Sequence, residues 1–191
     1  MMYKKNALRL CFFIVLLWVI EVINQLMGHR LNVLGIFPGS ATPFPGVLFA
    51  PLLHGSFQHL AINTLPLLTL GWLVAMDGFG RYVVMSLFIA VVGGSAVWLF
   101  GRNAFHVGAS GLIFGYFAYL VTKGLLEQSL SSIFIASTIV AVYGGILFGA
   151  FPLTESVSWE THFFSLLAGA LASYLWRNRE EKNASVESES L

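Results

Sequence analysis

The sequence predicts an all-α polytopic membrane protein, a bundle of six transmembrane helices, on three observations. Of its 191 residues 57% are hydrophobic and only 10% charged, against roughly 25% charged in soluble domains. Aromatic residues make up 15% of the chain and the mean hydropathy is +0.80, values that belong to a chain lying largely in lipid. Long apolar runs recur between short polar segments, and Lys and Arg fall unevenly on those segments. The lipid bilayer is therefore the first partner that composition implies. A net charge of +1 gives no electrostatic footing for nucleic acid or an acidic partner. The one cysteine, Cys11, sits in an apolar run, which rules out an intrachain disulfide and leaves the redox compartment unread.

A short basic head (Lys4, Lys5, Arg9) leads into the first apolar run, with no small-residue cleavage site after it. A retained first span over about Leu8–Met27 is expected rather than a cleaved signal. The apolar segment His29–Phe57 carries Pro38, Pro43, Pro45 and Pro51, so it cannot be one straight helix. At membrane depth such backbone survives only when packed on protein or lying in the interface. The second span covers about Phe57–Met76, with Pro66 a candidate kink. Arg81 and Arg102 bracket the third, twenty uncharged residues long. The fourth runs from Ser110 to about Lys123, the fifth over about Ile133–Phe151 and the sixth over about Thr161–Trp176. Residues 1–176 thus form the membrane domain, and the nearly apolar-free stretch 177–191 is expected to be a disordered tail.

Orientation follows from Lys and Arg. One side of a six-span chain would hold Lys4, Lys5, Arg9, Arg81, Lys123, Arg177, Arg179 and Lys182, and the other only Arg30 and Arg102. Both termini are therefore expected in the cytoplasm. The proline-rich segment, the 102–109 loop and the 152–160 loop then face outward. A chain without soluble domains points to a small prokaryotic form in the bacterial inner (cell) membrane.

Spans two, four and six start at the outer side, and each starts with a reactive group. His59 and Asn63 are an i,i+4 pair on one helix face, preceded by His54. Ser110 opens the fourth span between Gly108 and Gly111, and His162 opens the sixth. A serine at a helix start is a plain cap far more often than a nucleophile, so the rest of the chain must decide. Counting back from Lys123, Arg177 and Asp77 puts Ser110, His162 and Asn63 at roughly 20, 22 and 21 Å from the cytoplasmic end. In a core about 30 Å thick they share one level below the outer surface, which implies a polar pocket that water can reach. Gly111 with Gly115, and Ser165 with Gly169, let the fourth and sixth helices approach closely. The chemistry reads as acyl transfer. His162 takes the Ser110 proton, and the Ser110 N–H, His59 and Asn63 stabilise the oxyanion. No carboxylate is placed to orient His162, since Glu160 points elsewhere on the helix. A Ser–His dyad is expected rather than a triad.

Other polar residues read as structural. His54 either bonds a neighbouring helix or organises the loop ahead of the second span. His29 and His106 read as loop residues, and Glu21, near the outer end of span one, as a snorkelling side chain. No H-E-x-x-H is present, His54 and His59 do not share a helix face well, and no metal site is expected. Asp77 is the only aspartate, which excludes an aspartyl dyad within the chain. Leu112 breaks the G-x-S-x-G of an α/β-hydrolase elbow, and neither midplane charges nor repeated halves mark a transporter.

The set His54-x4-His59-x3-Asn63, then Gly108-Ala109-Ser110-Gly111, then His162 at the head of the last span, resembles the rhomboid intramembrane serine proteases. Leu53–Leu60, Gly71 and Ser158–His162 extend the likeness over the six-span core. The resemblance implies the six-helix rhomboid fold, a Ser110/His162 dyad with His59 and Asn63 at the oxyanion, and no cofactor. It implies single-span transmembrane protein substrates, cut near the outer end of their helices. Its rival is a catalytically inactive rhomboid-like protein that binds membrane helices. The sequence departs from the pattern in three places. Pro45-Gly46 replaces a Trp-Arg pair in the first outer segment. Ser165 stands where glycine is common, which predicts a slightly wider separation of the fourth and sixth spans. Phe114 replaces a tyrosine beside His162, keeping the stacking and losing a hydroxyl. Oligomeric state is not legible.

Overall fold

The computed structural model describes residues 2–153 and 157–189. Among these, the backbone is helical apart from turns and a single antiparallel bridge between Ile36 and His106. The helices are α1 (Met2–Leu26), α2 (Pro43–Phe49), α3 (Phe57–Met76), α4 (Phe79–Phe100), α5 (Ser110–Glu127), α6 (Leu130–Tyr143) and α7 (Trp159–Glu189). All but α2 belong to the six-span, rhomboid-like bundle that the sequence predicts. Among the described residues, four segments are long and apolar enough to cross a membrane by length and composition: Tyr3–Leu26, Phe57–Met76, Phe79–Phe100 and Leu130–Ala150. The helices outside that set, α5 and α7, make the most extensive helix pairing in the bundle. They can be shorter in apolar run because protein, not lipid, covers much of them: every residue from Ser110 to Leu120 is buried.

Side-chain contacts fix the order of the helices. Asn6 at the start of α1 donates to the Ala75 carbonyl at the end of α3 (3.0 Å), and Trp18 donates to Thr64 (3.2 Å), so the two run antiparallel. At that same end Asp77, just after α3, pairs with Arg81 of α4 and Lys123 of α5. On α4 and α7, Phe88 meets Trp176 and Phe100 meets Phe164. The core between them is built from Leu17, Leu60, Leu70, Met85, Ile89 and Tyr116, all essentially inaccessible.

Several elements differ from expectation in detail. The proline-rich segment is a chain of short pieces, with 3-10 turns at Arg30–Leu34 and Ala50–Leu52 around α2. It packs on protein: a Cβ on Gly46 would lie 2.6 Å from the Gly35 carbonyl oxygen. Glycine at that position therefore lets α2 sit directly on the Gly35–Ile36 backbone. Helix α3 runs through Pro66 without interruption. The fifth span changes at Gly144 from α-helix to a 3-10 stretch, Gly144–Ala150. The last helix continues past Trp176 to Glu189, through Arg, Glu, Lys and Ala, all good helix formers. In the 152–160 loop, residues 154–156 lie outside the described residues, as do 190–191 of the tail. Glu21 does not snorkel. It is fully buried, with Asn24 donating to Oε2 at 3.4 Å and the half-buried His29 3.9 Å from Oε1.

Packing of α5 on α7 rests on backbone contact. A Cβ on Gly169 would lie 2.0 Å from the Gly115 carbonyl oxygen, and one on Gly115 would lie 2.4 Å from Ile89. Ser165, where wider spacing was expected, fills the room left by glycines: its hydroxyl is 2.8 Å from where a Gly93 Cβ would stand and 3.1 Å from that of Gly111. A Gly169→Ala substitution must push against backbone rather than a flexible side chain. It is expected to lower stability by about 1–3 kcal/mol or more, read as a fall in the unfolding midpoint in detergent, with Gly144→Ala, which meets only ordinary contact at 3.6 Å, as the control.

Candidate active site

Ser110 is the first residue of α5, and Ala109, which makes no side-chain capping bond, is the N-cap. The serine hydroxyl is therefore not spent on the helix end. It lies 2.8 Å from His162 Nε2. The approach to Ser110 is held by three backbone ties: His106 N–H to the Ile36 carbonyl (2.8 Å), Gly108 N–H to the Ala50 carbonyl (2.9 Å), and Ala109 N–H to His54 Nε2 (3.3 Å). Gly108 has φ +129°, a conformation that side chains oppose.

His162 sits in the first turn of α7. Its ring lies flat on Phe114, with centroids 4.0 Å apart and planes 6° from parallel. Nδ1 is 2.8 Å from the carbonyl oxygen of Gly149, in the 3-10 stretch that ends the fifth span. A carbonyl only accepts, so Nδ1 carries the proton and Nε2 presents its lone pair to the Ser110 hydroxyl. A Cβ on Gly149 would lie 3.1 Å from Nδ1, so the absent side chain gives the ring its room. Both Ser110 and His162 are 8% exposed, which leaves only a narrow opening to them.

His59 borders the same spot. A Cβ on Gly108 would come within 2.9 Å of His59 Nε2 and 3.5 Å of Ser110 Oγ. Ser56 caps α3 by accepting from the His59 N–H at 3.1 Å, which sets where that helix starts. One turn deeper, Asn63 is 5% exposed and its Nδ2 has no hydrogen-bond partner among the described residues. His54 is fully buried, edge-on to His59 at 5.2 Å, and organises the loop through Ala109. Gly111 faces Thr161 and Ser165 of α7. Thus Ser110, His162, His59, Gly108 and Phe114 come together directly, with Asn63 on the His59 face of α3.

Two groups of residues escaped the sequence reading. The Gly149 carbonyl has no signature in a side-chain motif, since any residue carries one. The second group straps together the loops that lead into α5 and α7. Glu160 is almost fully buried and accepts from the Arg102 N–H (3.3 Å), with the Arg102 guanidinium 3.5 Å away. Arg102 also donates to the Val157 carbonyl at 2.5 Å. His106, read as a loop residue, is in a loop but only 1% exposed, hydrogen-bonded to Ser158 and to the Arg102 carbonyl. Burial pulls its pKa below the usual histidine value, so it stays neutral and bridges the two loops. Arg102 and Glu160 did carry a signal: each is an isolated charge beside one of the two reactive segments.

A serine hydroxyl and an oriented imidazole, contributed by two helices, place the chain in a class of polytopic membrane proteins with a hydrogen-bonded Ser–His pair inside the bundle. The chain belongs to the rhomboid family: the model of the Rhomboid domain matches residues 43–179. Similar proteins include an uncharacterized protein of Mycobacterium tuberculosis, 42% identical over 179 residues, covering 89% of this chain and 75% of that one. An uncharacterized protein of Mycobacterium leprae is 38% identical over 184 residues, covering 92% and 73%. The Bacillus subtilis protein YdcA, named provisionally as a rhomboid protease, is 26% identical over 133 residues, covering 69% and 66%.

The strap gives a measurable coupling. Glu160→Ala leaves the Arg102 N–H and guanidinium without their carboxylate and is expected to cost about 1–3 kcal/mol of stability. Arg102→Ala and the double variant should be clearly non-additive, by about 0.5 kcal/mol or more, in a double-mutant cycle of thermal unfolding.

Proposed function

We propose that the protein is an intramembrane serine endopeptidase that cuts single-span membrane proteins near the outer end of their transmembrane helix. The observation that carries this reading is the Ser110 Oγ–His162 Nε2 hydrogen bond of 2.8 Å, with Nδ1 tied to Gly149 at 2.8 Å. Membership of a family made mainly of intramembrane serine proteases supports it.

In this reading Ser110 Oγ attacks a peptide carbonyl while His162 Nε2 takes its proton, and the imidazolium then returns that proton to the leaving amine. Water, activated by the same nitrogen, hydrolyses the acyl-enzyme. The Gly149 carbonyl does for His162 what a carboxylate does in a triad: it holds the tautomer and ring plane, without a full negative charge to stabilise the imidazolium. A modest rate follows. The Ser110 N–H at the head of α5 and the His59 and Asn63 side chains receive the oxyanion. Asn63 Nδ2, buried and without a partner, is a donor free to turn to it. Both termini lie in the cytoplasm of a bacterial cell, so cleavage falls toward the outer face.

A fluorophosphonate probe on detergent-solubilised protein is expected to label the parent and to lose labelling in Ser110→Ala and His162→Ala. Cleavage of a single-span reporter in liposomes should fall by about 10³-fold or more in both. No labelling of the parent, or equal labelling of all three, would instead favour a protein that binds membrane helices without cutting them. Asn63→Ala should lower kcat by about 10²–10³-fold, the usual scale for one oxyanion donor, with little change in KM.

A further inference from the structure

Between α1 and α4, beneath the proline-rich segment, lies an apolar groove of about 740 Å³. That volume falls in the ~300–1,000 Å³ range of sites that hold small molecules. Phe12 of α1 and Leu87 of α4 line its walls and are themselves 69% and 52% exposed, so the groove opens sideways. Leu52 and Leu112 close the end nearer Ser110.

The other end is cationic. Arg9 lines it, with the guanidinium 4.4 Å above the centroid of the Phe79 ring. Arg81 and Lys123, at the same end of the bundle, both sit on Asp77, and Arg102 sits on Glu160. No carboxylate among the described residues pairs with Arg9. Stacking occupies one face of its guanidinium and leaves the N–H edge free to donate. Along α4 the groove extends from Phe79 to Ala90, roughly 16 Å of helix. That is close to half of a hydrocarbon core about 30 Å thick.

The geometry points to a binding site for one anionic phospholipid, with an acyl chain lying in the groove as far as Leu112 and the phosphate on the Arg9 edge. The length of the groove matches one leaflet, and its one charge stands where the headgroup of that leaflet begins. A zwitterionic lipid offers the same phosphate but brings a choline cation beside Lys4, Lys5 and Arg9. Preference for net negative charge follows.

The test is native mass spectrometry of the delipidated full-length protein in detergent, offered equal amounts of dioleoylphosphatidylglycerol and dioleoylphosphatidylcholine. The parent should retain one phosphatidylglycerol, favoured about fivefold, the scale of one cationic side chain at a membrane surface. Arg9→Gln should level the two lipids, and Leu87→Trp, which fills the groove, should lower retention of both. Inorganic phosphate at millimolar concentration should not compete. Equal retention of the two lipids by the parent, an unchanged preference in Arg9→Gln, or displacement by phosphate would overturn the assignment. The preference of the parent is read without any variant, so the result stands even where a variant does not fold.

Discussion

The contact on which the molecule depends is the one between the backbones of α5 and α7. In lipid there is no hydrophobic drive between helices, since lipid tails are as apolar as leucine. Association rests on close dispersion contact and a few hydrogen bonds, and both grow as the helices approach. Gly169 against the Gly115 carbonyl is the point of nearest approach. The same seam fixes the distance between Ser110 and His162, which lie at the end where α5 and α7 begin. A hydrogen bond of 2.8 Å between groups 52 positions apart in sequence tolerates little sliding, and misplacement of about 1 Å in a reacting geometry can cost ~10²-fold in rate. Fold stability and proposed chemistry are thus set by the same contacts.

The second constraint is that backbone polar groups at membrane depth must be satisfied inside the protein. Helices do this for themselves, whereas the segment between α1 and α3 cannot. It is resolved by a hub at the end of α1. Asn24, fully buried, bonds Asn32 (2.9 Å), the His54 carbonyl (3.1 Å) and the Leu31 N–H (3.1 Å). His54 in turn accepts from Ala109, next to the serine. The irregular segment, which the prolines make unavoidable, is therefore tied at one end to α1 and at the other to the start of α5.

How much of this the sequence disclosed depends on the kind of signal. The spans were legible because lipid demands about twenty apolar residues, and even α5 and α7, whose apolar runs are shorter, were legible from Lys123 and Arg177, which end those runs. Ser110, His162 and Asn63 were legible because each lies near the head of a span on the same side, so a count of residues places them at one depth. Gly149 was not, because its contribution is a backbone carbonyl and depends on the 3-10 turn that aims it. Glu21 was misread as snorkelling because hydropathy treats a carboxylate as a cost. Only the fold shows that Asn24 shares its burial and that His29 lies beside it. The Arg102–Glu160 strap joins loops 58 positions apart, a separation over which a sequence pattern without helical or strand period carries no distance information.

The departures from the family pattern make physical sense together. Pro45-Gly46 removes two large side chains from the segment between α1 and α3, and Gly46 answers by letting α2 rest directly on the Gly35–Ile36 backbone, with Val47 and Ile36 packed near Gly94. Ser165 adds a hydroxyl at the α5–α7 seam, and Gly93 and Gly111 leave the room for it. Phe114 lacks a hydroxyl beside His162, yet the 4.0 Å stack needs only the ring face. At Pro45-Gly46 a loss of side-chain anchoring is met by closer backbone approach. That exchange suits a membrane interior, where a buried polar anchor must itself be fully satisfied, while a glycine contact asks only for space. Of the buried polar atoms without a hydrogen-bond partner among the described residues, His54 Nδ1 and Asn63 Nδ2 lie on the His59 side of the proposed reaction centre, while Glu21 Oε1 and Glu160 Oε2 lie in the hub and the strap that hold the irregular segments: none is on the Gly115–Gly169 seam, which is settled by shape.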